Sequence, residues 1–380
     1  MDLNEYFEPV SLEKPEENFR FSDAMFGRNI RINTPSTPID EISNYQLAIF
    51  GVREGRDSYN EGASDAPDRI RKRLYELFRV NDKLRIIDLG NLKSTSGVED
   101  TYYGTRDVMT CLLNNQVTAI VLGGTQDITK GIFMAYEQRT VPANVVAIDA
   151  RLDMDDGPQS SSWILPVIGS QKLFKFTLLG HQQYLVNARH IEQLEERGFE
   201  VIRLGALRSN LLLAEPFLRD AHLVSFDISA AKQSDAPGTR FPSPNGLMAE
   251  EACQLARFAG LSDQVSCFGI YEMNPGLDRN DQTSQLAAQA VWYFIEGFSL
   301  RKREKPVQNS PDFKVFLVNH RDMEHALTFY KSLITGRWWM EVPELKTGNQ
   351  VVVACSQEEY QQACDHDIPE MWWKAFQRIN

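Results

Sequence analysis

The run Asn144-Val145-Val146-Ala147-Ile148-Asp149-Ala150-Arg151-Leu152-Asp153 decides the fold. A short aliphatic stretch that breaks abruptly into acidic residues is the pattern of a strand buried on both faces and ending in a polar loop. Seven further runs share the pattern: Gln46–Val52, Leu84–Leu89, Val117–Gly123, Phe174–Gly180, Phe199–Leu204, His222–Asp227 and Val265–Glu272. Most are followed by an amphipathic segment. In 67–78, for example, Asp68, Arg69, Arg71, Lys72 and Arg73 oppose Ile70, Leu74 and Leu77, which predicts a helix. Parallel strands need crossover connections and are covered on each face, so the alternation predicts a doubly wound α/β fold on a mainly parallel, eight-stranded sheet.

Composition narrows the function classes. At 380 residues and 42% hydrophobic, the chain can bury one large α/β core or two ordinary ones. A net charge of −12 and an isoelectric point near 5.1 argue against a nucleic-acid surface, which needs a basic stripe to replace phosphate counterions. No apolar run approaches the roughly 20 residues of a membrane span. The acidic start Met1-Asp2-Leu3-Asn4-Glu5-Tyr6-Phe7 does not resemble a secretory leader. Five scattered cysteines, Cys111, Cys253, Cys267, Cys355 and Cys364, fit a reducing, cytoplasmic setting.

Four stretches are expected along the chain. Residues 1–43, with Pro9, Pro15, Pro35 and Pro38, read as an irregular arm, and 44–299 as the α/β domain. Residues 300–311, charged and proline-bearing, read as a linker, and 312–380 as a small appendage separable from the rest. In the appendage 314–318 reads as a strand and 321–332 as a helix. It holds four of the six tryptophans as Trp338-Trp339 and Trp372-Trp373, which form either a small core or an exposed patch for a protein partner.

Ligands of open parallel sheets bind outside the carboxyl ends of the strands. Four such ends carry chemistry: Gly123-Gly124-Thr125-Gln126-Asp127, Asp149 to Asp156, Ser225-Phe226-Asp227-Ile228-Ser229 with the loop Pro237 to Gly246, and Tyr271-Glu272-Met273-Asn274-Pro275. Carboxylates converging from three strands repel by about 4 kcal/mol per pair at 4 Å unless a cation sits among them, so something positive is expected there. Taken singly, each acid is as well explained by a solvated loop or a helix cap. His181, ending the fifth run, either faces the same crevice or is an ordinary structural histidine, and Asp127, Asp155 and Asp156 read as solvated.

The order GG-x-x, D-A-x-x-D, S-x-D, PGT-x-x-P-x-x-G-L and E-x-N-P resembles the ureohydrolase family of arginase, agmatinase and formimidoylglutamase, with formimidoylglutamase the nearest in character. The likeness covers about 46–299, including Gly62-Ala63, Ala66-Pro67, Ile70-Arg71 and Asp88-Leu89-Gly90. It implies the three-layer arginase-like fold, homo-oligomers, and two manganese ions held by two histidines and four aspartates around a bridging hydroxide. Carried onto this chain, three of the aspartates are Asp149, Asp153 and Asp227, whereas Gln126, Arg151 and Ser229 stand at the other three ligand positions. The family's proton-transferring histidine falls near Trp163, and the last glycine of PGTG is Arg240. Glu272 stands where the family receives the substrate's nitrogen.

The resemblance then implies a departure from the family's chemistry. Gln126, Asp149, Asp153 and Asp227 offer oxygens to at most one weakly held divalent cation (manganese, magnesium or calcium), or to none. An arginine has donors only and cannot ligate a metal. Arg151 is expected to fork onto Asp149 or Asp227, the alternative being an outward swing to Asp155 or Asp156; Glu272 binds a ligand or pairs with Arg151 or Arg240. Two functions follow as expectations: an inactive or repurposed binding or assembly protein, or a metal-dependent hydrolase of linear C–N bonds such as those of formimidoylglutamate or agmatine.

Overall fold

The computed structural model describes residues 1–11, 22–155, 157–307, 310–320 and 326–380. Its main sheet comprises β1 (Phe7–Glu8), β2 (Arg31–Ile32), β3 (Leu47–Gly51), β4 (Ile86–Leu92), β5 (Thr118–Leu122), β6 (Ala143–Ile148), β7 (Leu173–His181), β8 (Glu200–Arg203), β9 (Leu223–Asp227) and β10 (Cys267–Tyr271). The order is β1-β4-β3-β5-β10-β9-β6-β7-β8, with β2 also on β4. Each of the eight expected runs is a strand, and those eight pair in parallel. Helices cover both faces and divide the apolar residues into two large clusters, one on each side.

The arm, expected to be irregular, contributes two short strands to the sheet. β1 pairs antiparallel with β4, β2 pairs parallel with it, and Leu3, Phe7, Phe26, Ile39 and Ile42 are buried. Pro15 lies outside the described residues. The helix Ala66–Tyr75 is fixed to β4 by Arg71, which is 3% exposed. Its Nε and Nη2 fork onto Asp88 at 2.8 and 3.2 Å, Nη1 reaches Asn91 at 3.0 Å, and Nη2 reaches the Gly90 carbonyl at 3.2 Å. A buried ion pair offsets its desolvation only when its remaining donors are satisfied, as here.

A second, antiparallel sheet follows: β11 (Phe313–Val318), β12 (Leu327–Ser332), β13 (Trp338–Pro343) and β14 (Gln350–Cys355), packed by the helices Gln357–Cys364 and Glu370–Ile379. The expected helix 321–332 is corrected: 327–332 is a strand, because pairing with β11 and β13 overrides its local pattern, and 321–325 lie outside the described residues. Trp338 and Trp339, adjacent on β13, point to opposite faces. Trp338 stacks on Tyr360 at 4.7 Å, and Trp339 packs beneath Arg219 at 4.3 Å. Trp372 donates from Nε1 to the Glu341 carbonyl at 2.8 Å, while Trp373 is 46% exposed.

This second sheet is tied to the first. Arg219, 4% exposed, donates to the Cys355 carbonyl at 2.8 Å, and Asp220 accepts from the Ala354 amide at 2.7 Å. Arg337 pairs with Glu215 at 3.1 Å and Lys374 with Glu200 on the edge strand β8 at 3.0 Å.

Candidate functional site

The strand order places the carboxyl ends of β5, β10, β9 and β6 side by side, so the four ends singled out in the sequence meet in one crevice. After β5 the chain turns through Gly123-Gly124, and a Cβ at Gly124 would lie 1.7 Å from the Glu54 carbonyl oxygen, so only glycine fits there. That turn delivers Gln126 to the centre.

With the Gln126 amide turned so that both its ends are satisfied, its nitrogen donates to Asp149 Oδ2 at 2.9 Å and Asp153 Oδ2 at 3.3 Å, and its oxygen accepts from Ser225 Oγ at 3.1 Å. Further donors reach the group. Asp149 Oδ1 accepts from the Arg151 amide at 2.7 Å, and the same Asp153 Oδ2 accepts from Trp163 Nε1 at 2.9 Å. Asp227 accepts from the Ser229 amide at 2.6 Å and the Ser229 hydroxyl at 2.7 Å. Glu272 closes the ring from β10. Its backbone sits in the left-handed region at φ 66°, unusual for a side chain of this size, and its amide is held by the Gly124 carbonyl at 2.9 Å. Its carboxylate accepts from the Gln126 amide and from Asn60 Nδ2, each at 2.8 Å.

Burial, then the charge of Asp227, then that of Asp153, holds the Asp149 carboxyl well above its usual range. Burial and the Asp227 charge push Asp153 up to about 7. Burial lifts Asp227 to about 6 against the hydrogen bonds from Ser229, and burial with the Asp227 charge raises Glu272 strongly. Burial thus raises all four acids, and for Asp149, Asp153 and Glu272 the charge of a neighbouring carboxylate adds to it.

A pH dependence follows. Between an unfolded value near 4 and its folded value of about 7, Asp153 is protonated in the folded chain and ionised in the unfolded one, so raising the pH through that window removes stability. Buried His222, lowered to about 4, works the other way, so the comparison needs a variant. Asp153→Asn is expected to melt above the parent at pH 8, with the gap shrinking towards pH 4. A gap independent of pH in thermal unfolding would contradict this.

Several expected placements change. Arg151 forks onto neither Asp149 nor Asp227, and its guanidinium makes no ion pair among the described residues. It lies over the Phe241 ring at 5.1 Å, near enough for its charge to lower Asp153 and Asp227. Nor does it reach Asp155; Asp156 lies outside the described residues. Glu272 pairs with neither arginine. Arg240 stands at the mouth, its Nε donating to the Tyr59 carbonyl at 3.2 Å. Asp127 is not solvated: it is 1% exposed, burial raises its pKa, and it accepts from the Tyr102 hydroxyl. His181 is a buried strand residue on β7 beside Arg203, its pKa lowered by burial, with no contact to the carboxylates. Asn60, Tyr59 and Phe241 come from loops distant in sequence, and no local signal marked them.

The donor set is a poor match to a pair of manganese ions. Neither imidazole is present, and Arg151 has no lone pair to offer.

The layered α/β architecture with a carboxylate cluster at the strand ends defines the class of the molecule. Residues 45–296 match the family model described as arginase family, and the chain belongs to that family. Within it, the chain is close to formimidoylglutamases. It is 25% identical over 311 residues to one from Geobacillus sp. (strain WCH70), covering 77% of this chain and 94% of that one. To one from Lysinibacillus sphaericus (strain C3-41) it is 24% identical over 259 residues, 64% of this chain and 80% of the other. The fold is that of Bacillus subtilis formimidoylglutamase (TM-score 0.67, 20% identity, 77% and 97% of the two chains) and of Trypanosoma cruzi formiminoglutamase solved with Mn2+2 (TM-score 0.65, 21% identity, 69% and 96%).

Proposed function

We propose that this chain is a repurposed arginase-family protein that binds rather than hydrolyses, its carboxylate cluster held by internal donors instead of a manganese pair. The observation that carries the proposal is the replacement of three ligand positions by Gln126, Arg151 and Ser229, with the last donating its amide and hydroxyl to Asp227. Metal hydroxide at neutral pH requires a cation that lowers the pKa of bound water. Here Arg151 and Ser229 replace two ligands of one ion, and Trp163, near the expected proton carrier, spends its only N–H on Asp153. Asp149, Asp153 and Asp227 retain oxygens for at most one weakly held hard cation. A role in assembly would use Trp373, since Trp338, Trp339 and Trp372 are buried.

The family membership and the surviving aspartates support a second reading, a hydrolase of linear C–N bonds. The two are separated by assaying formamide and urea release from formimidoylglutamate, agmatine and arginine with Mn²⁺ added. No turnover is expected; turnover abolished by Asp227→Ala would replace the first reading with the second.

A further inference from the structure

We infer that Arg151, Arg240 and Phe241 form an oxyanion-binding rim at the mouth of the crevice, which takes the carboxylate or phosphate end of a small ligand. Both guanidinia pack on one ring, Arg151 at 5.1 Å and Arg240 at 5.8 Å from its centre, which gathers the two cations around one aromatic side chain. Neither makes an ion pair among the described residues.

The surroundings hold the two cations ready. Arg240 is oriented by its bond to the Tyr59 carbonyl, and Tyr59 meets Phe241 edge-on at 6.2 Å. Phe241 and Tyr59 are 45% and 56% exposed, so the rim offers an apolar face beside its charges. Stacking on an aromatic face leaves the side-chain N–H groups of Arg151 and the two terminal nitrogens of Arg240 free for an oxyanion, and the planar guanidinium matches carboxylate and phosphate geometry. Both arginines stand where the family pattern in the sequence has histidine and glycine, so the rim belongs to this chain's departures from that pattern. It deepens the proposed binding function but does not depend on whether the floor of the crevice holds a metal.

Calorimetric titration of the full chain with sodium glutarate and with inorganic phosphate, at constant ionic strength, tests the rim. One or both should bind, and the preferred probe distinguishes a carboxylate from a phosphate ligand. Arg151→Gln with Arg240→Gln should weaken the preferred probe by at least roughly tenfold, each single variant should give part of that loss, and guanidinium chloride should not compete. Circular dichroism of each variant establishes that it is folded. No binding of either probe, or equal binding by the folded double variant, would overturn the rim while leaving the turnover result untouched.

Discussion

A chain ending at Ser310 is expected to be insoluble or to lack a cooperative unfolding transition. Composition alone suggests the opposite, because the charged stretch before residue 312 reads as a linker and the tail carries its own tryptophans. The structure supplies the counter-argument. Truncation strips Arg219 of the Cys355 carbonyl and the Trp339 face, Asp220 of the Ala354 amide, Glu215 of Arg337 and Glu200 of Lys374. Leaving a buried polar group without its hydrogen-bond partner costs about 1–3 kcal/mol, more when it is charged, and several contacts are lost together here, against a domain stability of roughly 5–15 kcal/mol. A truncated chain that is soluble and melts as sharply as the parent would show that the two sheets fold independently.

The second large effect is a gain. Gln126→His, Arg151→His and Ser229→Asp in one chain should restore the ligand set implied by the family resemblance, with Asp149, Asp153 and Asp227 already in place. Manganese at about 100 times its dissociation constant would then stabilise the folded state by about 2.7 kcal/mol, because the ion binds the assembled site and not the open chain. The parent should shift little, since it lacks both imidazoles and Arg151 has no lone pair to offer a metal. Equal shifts in the two proteins would mean that the replaced residues do not control metal binding.

Much of this was legible in the sequence, for a physical reason. Strands buried on both faces must be continuous apolar runs, so β3 to β10 announced themselves, and their polar ends located Gln126, Asp149, Asp153, Asp227 and Glu272. What the sequence left open was direction and partnership. Arg151 sits on the expected loop, but its choice of the Phe241 ring over the aspartates depends on a loop some ninety residues away. Asp127 reads as a solvated acid until Tyr102, from a helix packed beside it, covers it. Asn60 and Ser225 are ordinary polar residues whose value lies entirely in what the fold brings to them. In the second sheet, 327–332 carries too weak a pattern to declare itself, and only its neighbours β11 and β13 make it a strand.

The most direct test of the central claim is the manganese content of the parent protein, purified without chelator and measured by elemental analysis. Less than one equivalent per chain is predicted, because both imidazoles are replaced and Asp227 already accepts from the Ser229 amide and hydroxyl. Two equivalents would contradict it, and would mean that the cluster opens to take up the metal pair after all.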